Sequence, residues 1–286
     1  MTDEEEGLPG SDPFFIIGSQ RSGTTLMRLI LDSHIDVTCI DEAYSFRVLT
    51  QGVAGFTGLV GFKTPQLTEQ FAGPWLRDDA AIRAKSPSGV VNCYLKHRFI
   101  FMVRDVRDVV VSMLSRPGWL RTYGATVLAA KAETDDDFRI RYREELCALA
   151  ESGCSDAATA ALIWCYKTDA LKTYVERGMS VLPVKYEHLV TSPATELSSI
   201  CRFLHIPWDA ALLRHHRVRH SDVRGPAATG GTDCGRPIDA MSIGKWRLLL
   251  SAEQLRVIEV IAGCTRASLE ELCGGRSREG LGDAAG

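Results

Sequence analysis

Short, continuously apolar runs alternate with stretches of helical period along most of this chain. The runs FFIIG (Phe14–Gly18), LVGF (59–62), FIFMV (99–103) and VLPVKY (181–186) lack the polar alternation of a half-solvated sheet. They read as strands buried on both faces of a parallel sheet. Helical period follows them. Leu26, Leu29 and Ile30 share a face after the first run, and Val106, Val109, Val110, Met113 and Leu114 repeat at helical spacing after FIFMV. Longer helices are predicted at about 157–176 and 193–204, the second opened by Ser192 as N-cap and Pro193 in the first turn. SAEQ at 251–254 matches a capping box and predicts a helix over 251–262. Strands alternating with helices predict an α/β fold: a doubly wound parallel sheet flanked by helices.

One stretch breaks the alternation. Residues 116–156 hold RPGW, the acidic ETDDD and the mixed-charge RIRYREE, and read as an insertion of loop and surface helix. Two roles are open for it, a solvated excursion or a lid over a substrate. Residues 1–12 and 274–286 are small, polar and aperiodic, and read as disordered termini around a single domain over 13–273.

Composition narrows the function classes. A net charge of -3 over 286 residues argues against general nucleic-acid binding, so any basic site is local. Nine cysteines occur without CxxC spacing, which suits reduced thiols in a cytoplasmic protein and gives no zinc site. The acidic start MTDEEEGLPGSDP lacks the basic flank and apolar stretch of a signal peptide, and no run approaches membrane-span length. The expectation is a soluble, intracellular protein with no membrane partner.

The chemistry concentrates in GSQRSGTT (18–25), between the first strand and its helix. A glycine turn there lets free N–H groups and the helix dipole meet an anion, and Arg21 adds a fork of donors suited to a tetrahedral oxyanion. The P-loop pattern GxxxxGK[ST] is not met, because Thr24 stands where its lysine would be. Phosphate-like binding is expected and ATP hydrolysis is not. A second element, FIFMVRDVRDVVVSML, sets Arg104 at a strand's carboxyl end with Ser112 eight residues on. That pair suits a second phosphate, although RDVRD on its own also fits surface ion pairing.

GSQRSGTTLMRLILDSH together with FMVRDVRDVVVSM resembles the sulfotransferases that use 3′-phosphoadenosine 5′-phosphosulfate (PAPS). Within that family the protein-tyrosine sulfotransferase branch is the nearest in motifs, through CIDEA (39–43), VKYEHLVTSP (184–193) and FLHIPWD (203–209). The motifs run in family order from 14 to about 248. The resemblance implies a P-loop-like fold, PAPS as cosubstrate and no metal. It implies that Arg21, Ser22, Gly23, Thr24 and Thr25 hold the phosphosulfate, and that Arg104 and Ser112 hold the 3′-phosphate. Tyr186 matches a tyrosine near the nucleotide, and also reads as an aromatic closing a core strand. CGRPIDAMSIGKWRLLLS (234–251) looks like the nucleotide-closing segment, with Arg236 and Lys245 as its candidate cations.

Transfer of a sulfuryl group needs a base for the acceptor hydroxyl, in-line approach, and neutralisation of charge on the leaving phosphate oxygen. The resemblance places Glu42 as the base, with Asp41 as its rival and His34 and His97 as further alternatives. Lys63, in GFKTPQL, matches a lysine beside the transferred group, acting with Arg21. The acceptor is expected to be an alcohol or phenol on a small natural product; a peptide tyrosine is the alternative. A small-molecule kinase or a non-catalytic nucleotide-binding protein are the readings from other classes. The oligomeric state is open, a dimer included.

Overall fold

The computed structural model describes residues 13–45, 58–69, 97–218, 220 and 232–274. The termini read above as disordered lie outside the described residues, as does the stretch GPAATGG. In chain order the elements are β1 (Phe14–Gly18), α1 (Thr24–Leu31), β2 (Val37–Ile40), β3 (Leu59–Lys63), β4 (Arg98–Val103) and α2 (Val106–Leu114). There follow α3 (Ala125–Thr134), α4 (Asp136–Arg141), α5 (Arg143–Glu151), α6 (Asp156–Glu176), β5 (Ser180–Lys185), α7 (Tyr186–Thr191), α8 (Pro193–Leu204), α9 (Trp246–Leu249) and α10 (Ala252–Gly274). These residues group into two compact units. The first takes the described parts of Met1–Gly18, Gly23–Met102 and Tyr174–Ala240, the second those of Ser19–Ser22, Val103–Thr173 and Met241–Gly286.

In the first unit the strands form a five-stranded sheet of order β2-β3-β1-β4-β5. The pairings of β1 with β3, β1 with β4 and β2 with β3 are all parallel. Every residue of β1 is buried, as its unbroken apolar run requires of a central strand. The chain moves from β1 toward β2 and β3 on one side and resumes at β4 on the other. The order therefore reverses between the carboxyl ends of β1 and β4, where open α/β sheets bind ligands. Phe14, Ile16, Met27, Ile30, Ile100, Met102, Leu197 and Ile200 belong to one core cluster. Gly18 has φ +125°, and a Cβ there would stand 2.2 Å from the Met102 carbonyl oxygen, so only glycine allows β1 to end so close to β4.

The second unit is helical. The insertion is helix almost throughout: turns at Pro117–Trp119 and Leu120–Gly124 lead into α3, α4 and α5. The loop expected around ETDDD is not there. Asp135 caps α4 by accepting the Phe138 N–H at 2.9 Å, and Asp136 and Asp137 lie in its first turn, where carboxylates favour the helix dipole. The SAEQ capping box forms as expected, with Ser251 N–H to Gln254 Oε1 at 2.9 Å and Gln254 N–H to Ser251 Oγ at 3.2 Å. Its helix, however, runs to Gly274. Buried Ile258, Ile261, Ala262, Thr265 and Leu269 carry one face past the predicted end at 262, and this outweighs the modest cost of Gly263 within the helix.

Candidate functional site

In the first unit the end of β3, the turn after β2 and the start of α1 bring together four charges and a hydroxyl. Lys63, the last residue of β3, is 4% exposed. Its Nζ lies 3.2 Å from Asp41 Oδ2, 3.5 Å from Glu42 Oε2 and 3.3 Å from Thr25 Oγ1. Arg28, one helical turn beyond Thr24, is fully buried; its Nε is 3.4 Å from Asp41 Oδ2 and its Nη1 donates to the Cys39 carbonyl at 3.2 Å. The charges alternate along this row as Arg28, Asp41, Lys63, Glu42, which lets buried ions compensate one another.

The two carboxylates differ in the way that matters for base chemistry. Asp41 is 7% exposed in its side chain and shares one oxygen between two cations, whereas Glu42 is 35% exposed and faces Lys63 alone among the pairs just given. Glu42 is therefore the more accessible carboxylate, while Asp41 is held inside as a counter-ion. The histidine alternatives are placed elsewhere. His34 Nε2 donates to the Pro207 carbonyl at 2.9 Å, and its Nδ1 accepts the Asp36 N–H at 3.1 Å. His97 packs on Phe15 just before β4, at the amino end of the sheet and away from the loop that follows β1.

The loop after β1 is anchored and strained. Gly18 N–H donates to Thr68 Oγ1 at 2.9 Å, and Tyr174 Oη donates to the Thr68 carbonyl at 2.9 Å. Gly18, Arg21 and Gly23 all have positive φ, at 125°, 71° and 96°. An arginine in the left-handed region is unusual and is the kind of strain found at ligand-binding loops. A Cβ on Gly23 would lie 2.6 Å from Tyr186 Cδ2, so the Tyr186 ring packs directly on this glycine. Tyr186 is thus a buried aromatic directly after β5, packed against the loop.

The second unit holds the cationic part. Arg21 Nε donates to Ser112 Oγ at 2.9 Å, and Arg104 Nη1 donates to the Arg21 carbonyl at 3.0 Å. Ser112, expected together with Arg104 at the 3′-phosphate, thus bonds to Arg21. Burial, with the like charges of Arg116 and Arg104, lowers the Arg21 pKa to about 10. Three guanidiniums at close quarters favour an anion between them. Ser22 Oγ, 1% exposed and with no hydrogen-bond partner, is the orphaned donor that an anion oxygen would satisfy. Trp164 Nε1 donates to the Arg104 carbonyl at 3.1 Å and fixes the turn after β4.

Of the two C-terminal cations, Arg236 in the first unit is paired with Asp239 through both carboxylate oxygens, which raises its pKa. Lys245 in the second unit is exposed, three residues after Ser242, whose carbonyl accepts from Arg104 Nη2 at 2.7 Å. Sequence reasoning did not single out Arg28, Asp108 or Ser242. Arg28 left one signal, an arginine on the apolar face of α1.

Residues 13–87 match the model of the Sulfotransferase family. Protein-tyrosine sulfotransferase 1 of Danio rerio is 28% identical over 273 residues, covering 87% of this chain and 69% of its own length. Protein-tyrosine sulfotransferase A of Caenorhabditis elegans is 26% identical over 266 residues, covering 85% of this chain, which spans 63% of that relative. A mouse sulfotransferase solved in complex with PAP shares the fold at a TM-score of 0.51 and 14% identity, covering 91% of this chain and 88% of its own. The chain is thus similar to sulfotransferases in the family match over the loop after β1 and, through these relatives, along most of its length.

Proposed function

We propose that the protein transfers the sulfuryl group of PAPS to the phenolic hydroxyl of a tyrosine in a peptide or protein. The observation that carries the chemistry is the Thr25–Lys63–Glu42 arrangement, an ammonium fixed between a hydroxyl and an accessible carboxylate. PAPS supplies an activated S–O bond whose electrons leave on a phosphate oxygen. Glu42 takes the acceptor proton as the new O–S bond forms. The Lys63 ammonium, held in direction by Asp41, neutralises charge on the departing phosphate, as preorganised cations do in phosphoryl transfer. Arg21, Ser22, Gly23, Thr24 and Thr25 bind the phosphosulfate. Arg104, with Lys245, binds the 3′-phosphate, and Ser112 orients Arg21.

The acceptor is where this reading departs from the sequence expectation. The sequence expectation is an alcohol or phenol on a small natural product, with a peptide tyrosine as the alternative; the curated relatives cited above are both protein-tyrosine sulfotransferases, which supports the alternative. The test is a competition between tyrosine peptides and small phenols and alcohols at fixed PAPS, followed by mass spectrometry. Preferential sulfation of the peptides is expected; sulfation of the small acceptors alone would return the assignment to the natural-product reading.

A further inference from the structure

The RDVRD stretch does more than its part in the anion site. Asp108 on α2 is 2% exposed, and its carboxylate accepts two backbone N–H groups from the chain just before and at the start of α9. Gly244 N–H reaches Oδ2 at 2.7 Å, and Trp246 N–H reaches Oδ1 at 3.2 Å. Arg104, one turn earlier, holds the Ser242 carbonyl at 2.7 Å, and the Arg107 guanidinium lies 3.9 Å over the Trp246 ring. Three side chains within five residues thus grip 242–246.

Little else in this segment is apolar and buried. Met241 is 73%, Leu248 90% and Leu249 62% exposed, and α9 has no buried residue. Its conformation depends on polar contacts and on Gly244, whose φ is +73°. Lys245 lies between the two residues whose amides Asp108 accepts. A carboxylate bonded to the amides on either side fixes the backbone from which that lysine projects.

We infer that Asp108 is a positioning residue: by holding the Gly244 and Trp246 amides it sets Lys245, together with Arg104, for the 3′-phosphate of the nucleotide. This rests on the proposed function. The effect is specific to one end of the nucleotide, whereas a general loss of fold would weaken both ends alike.

The test compares affinities for adenosine 3′,5′-bisphosphate and adenosine 5′-phosphate by calorimetry in the full chain. Asp108→Asn is expected to weaken the bisphosphate by about tenfold, the size of one charge-assisted hydrogen bond, with little change for the 5′-phosphate. Gly244→Ala strains the same turn from the other side, leaves α2 intact and is expected to show the same selectivity, so a folding defect in Asp108→Asn does not remove the test. The double variant Asp108→Asn/Lys245→Ala is expected to bind no worse than Lys245→Ala, because Asp108 acts through that lysine. Equal losses for both nucleotides, or additive losses in the double variant, overturn the inference while the function stands. A wild-type protein with no preference for the bisphosphate overturns the proposed function and the inference together.

Discussion

Replacing Lys63 by methionine separates catalysis from stability, and the structure sets the size of each effect. Lys63 Nζ lies 3.2 and 3.5 Å from the two carboxylates. At an effective dielectric of about 20, each such contact is worth about 5 kcal/mol before the cost of desolvation. That cost is largely recovered when the ammonium is removed. Asp41 keeps Arg28 at 3.4 Å, and Glu42 is exposed enough to be hydrated. The net loss of stability is expected to be about 1 kcal/mol, or roughly 2–4 °C in Tm for a domain of this size. Turnover, by contrast, is expected to fall by about 10²–10³, the usual effect of deleting one preorganised charge stabiliser. Asp41→Ala reverses the order of effects. It leaves buried Arg28 and Lys63 without their shared counter-ion, and breaking a buried pair costs about 3–5 kcal/mol, or roughly 6–20 °C. Scanning calorimetry and single-turnover transfer from PAPS measure the two quantities on the same samples. A Lys63→Met protein with near-normal turnover, or one as unstable as Asp41→Ala, would refute the assigned roles.

Three further outcomes are expected. Arg21→Gln should raise the melting temperature of the nucleotide-free protein. The wild-type Arg21 pKa is depressed to about 10, so its folding penalty is full below that pH and relieved only as pH rises above it. The gain should be about 1–2 kcal/mol after the lost Ser112 hydrogen bond, and nucleotide protection should disappear; a lower Tm contradicts this. His215, buried against His216 and His220 with Asp32 bonded to the latter, has its pKa lowered to about 4 by burial and then by the neighbouring histidines. Its folded pKa lies below its unfolded value of 6.5, so stability is full above about pH 6.5 and is lost as pH falls through 4. Urea midpoints across that window should fall less steeply in His215→Gln. Gly23→Ala should cost about 1–3 kcal/mol from its positive φ and the Tyr186 contact. Tyr186→Leu in the same chain should restore part of the loss, and simple additivity of the two variants would contradict the packing.

The strands over 14–18, 59–63 and 98–103 were legible because fully buried parallel strands have continuous apolar runs, a pattern that requires no knowledge of partners. β2 was missed: four residues, Val37–Ile40, with a half-exposed threonine at the sheet edge, carry too little pattern to stand out. The insertion read as partly loop because α3 and α4 are short surface helices with little apolar stripe. Their acidic run is a capping device that resembles a solvated turn in one dimension. At the candidate site, the residues proposed to meet an anion are legible as motif: Arg21, Ser22 and Gly23 on one loop, and Arg104 on another. Their supports were not. Arg28 and Asp108 act on backbone or charge far along the chain, 11 residues away at Cys39 and 136 at Gly244, and only folding brings those distances together.

The most direct test of the account is transfer of label from PAPS to a tyrosine peptide in the presence of EDTA, by wild-type protein and by Glu42→Gln. The account predicts metal-independent sulfation by the wild type and a fall in turnover with Glu42→Gln, while affinity for the desulfated nucleotide is nearly unchanged. No transfer from PAPS by the wild type to any hydroxyl, or undiminished transfer by Glu42→Gln, would contradict it.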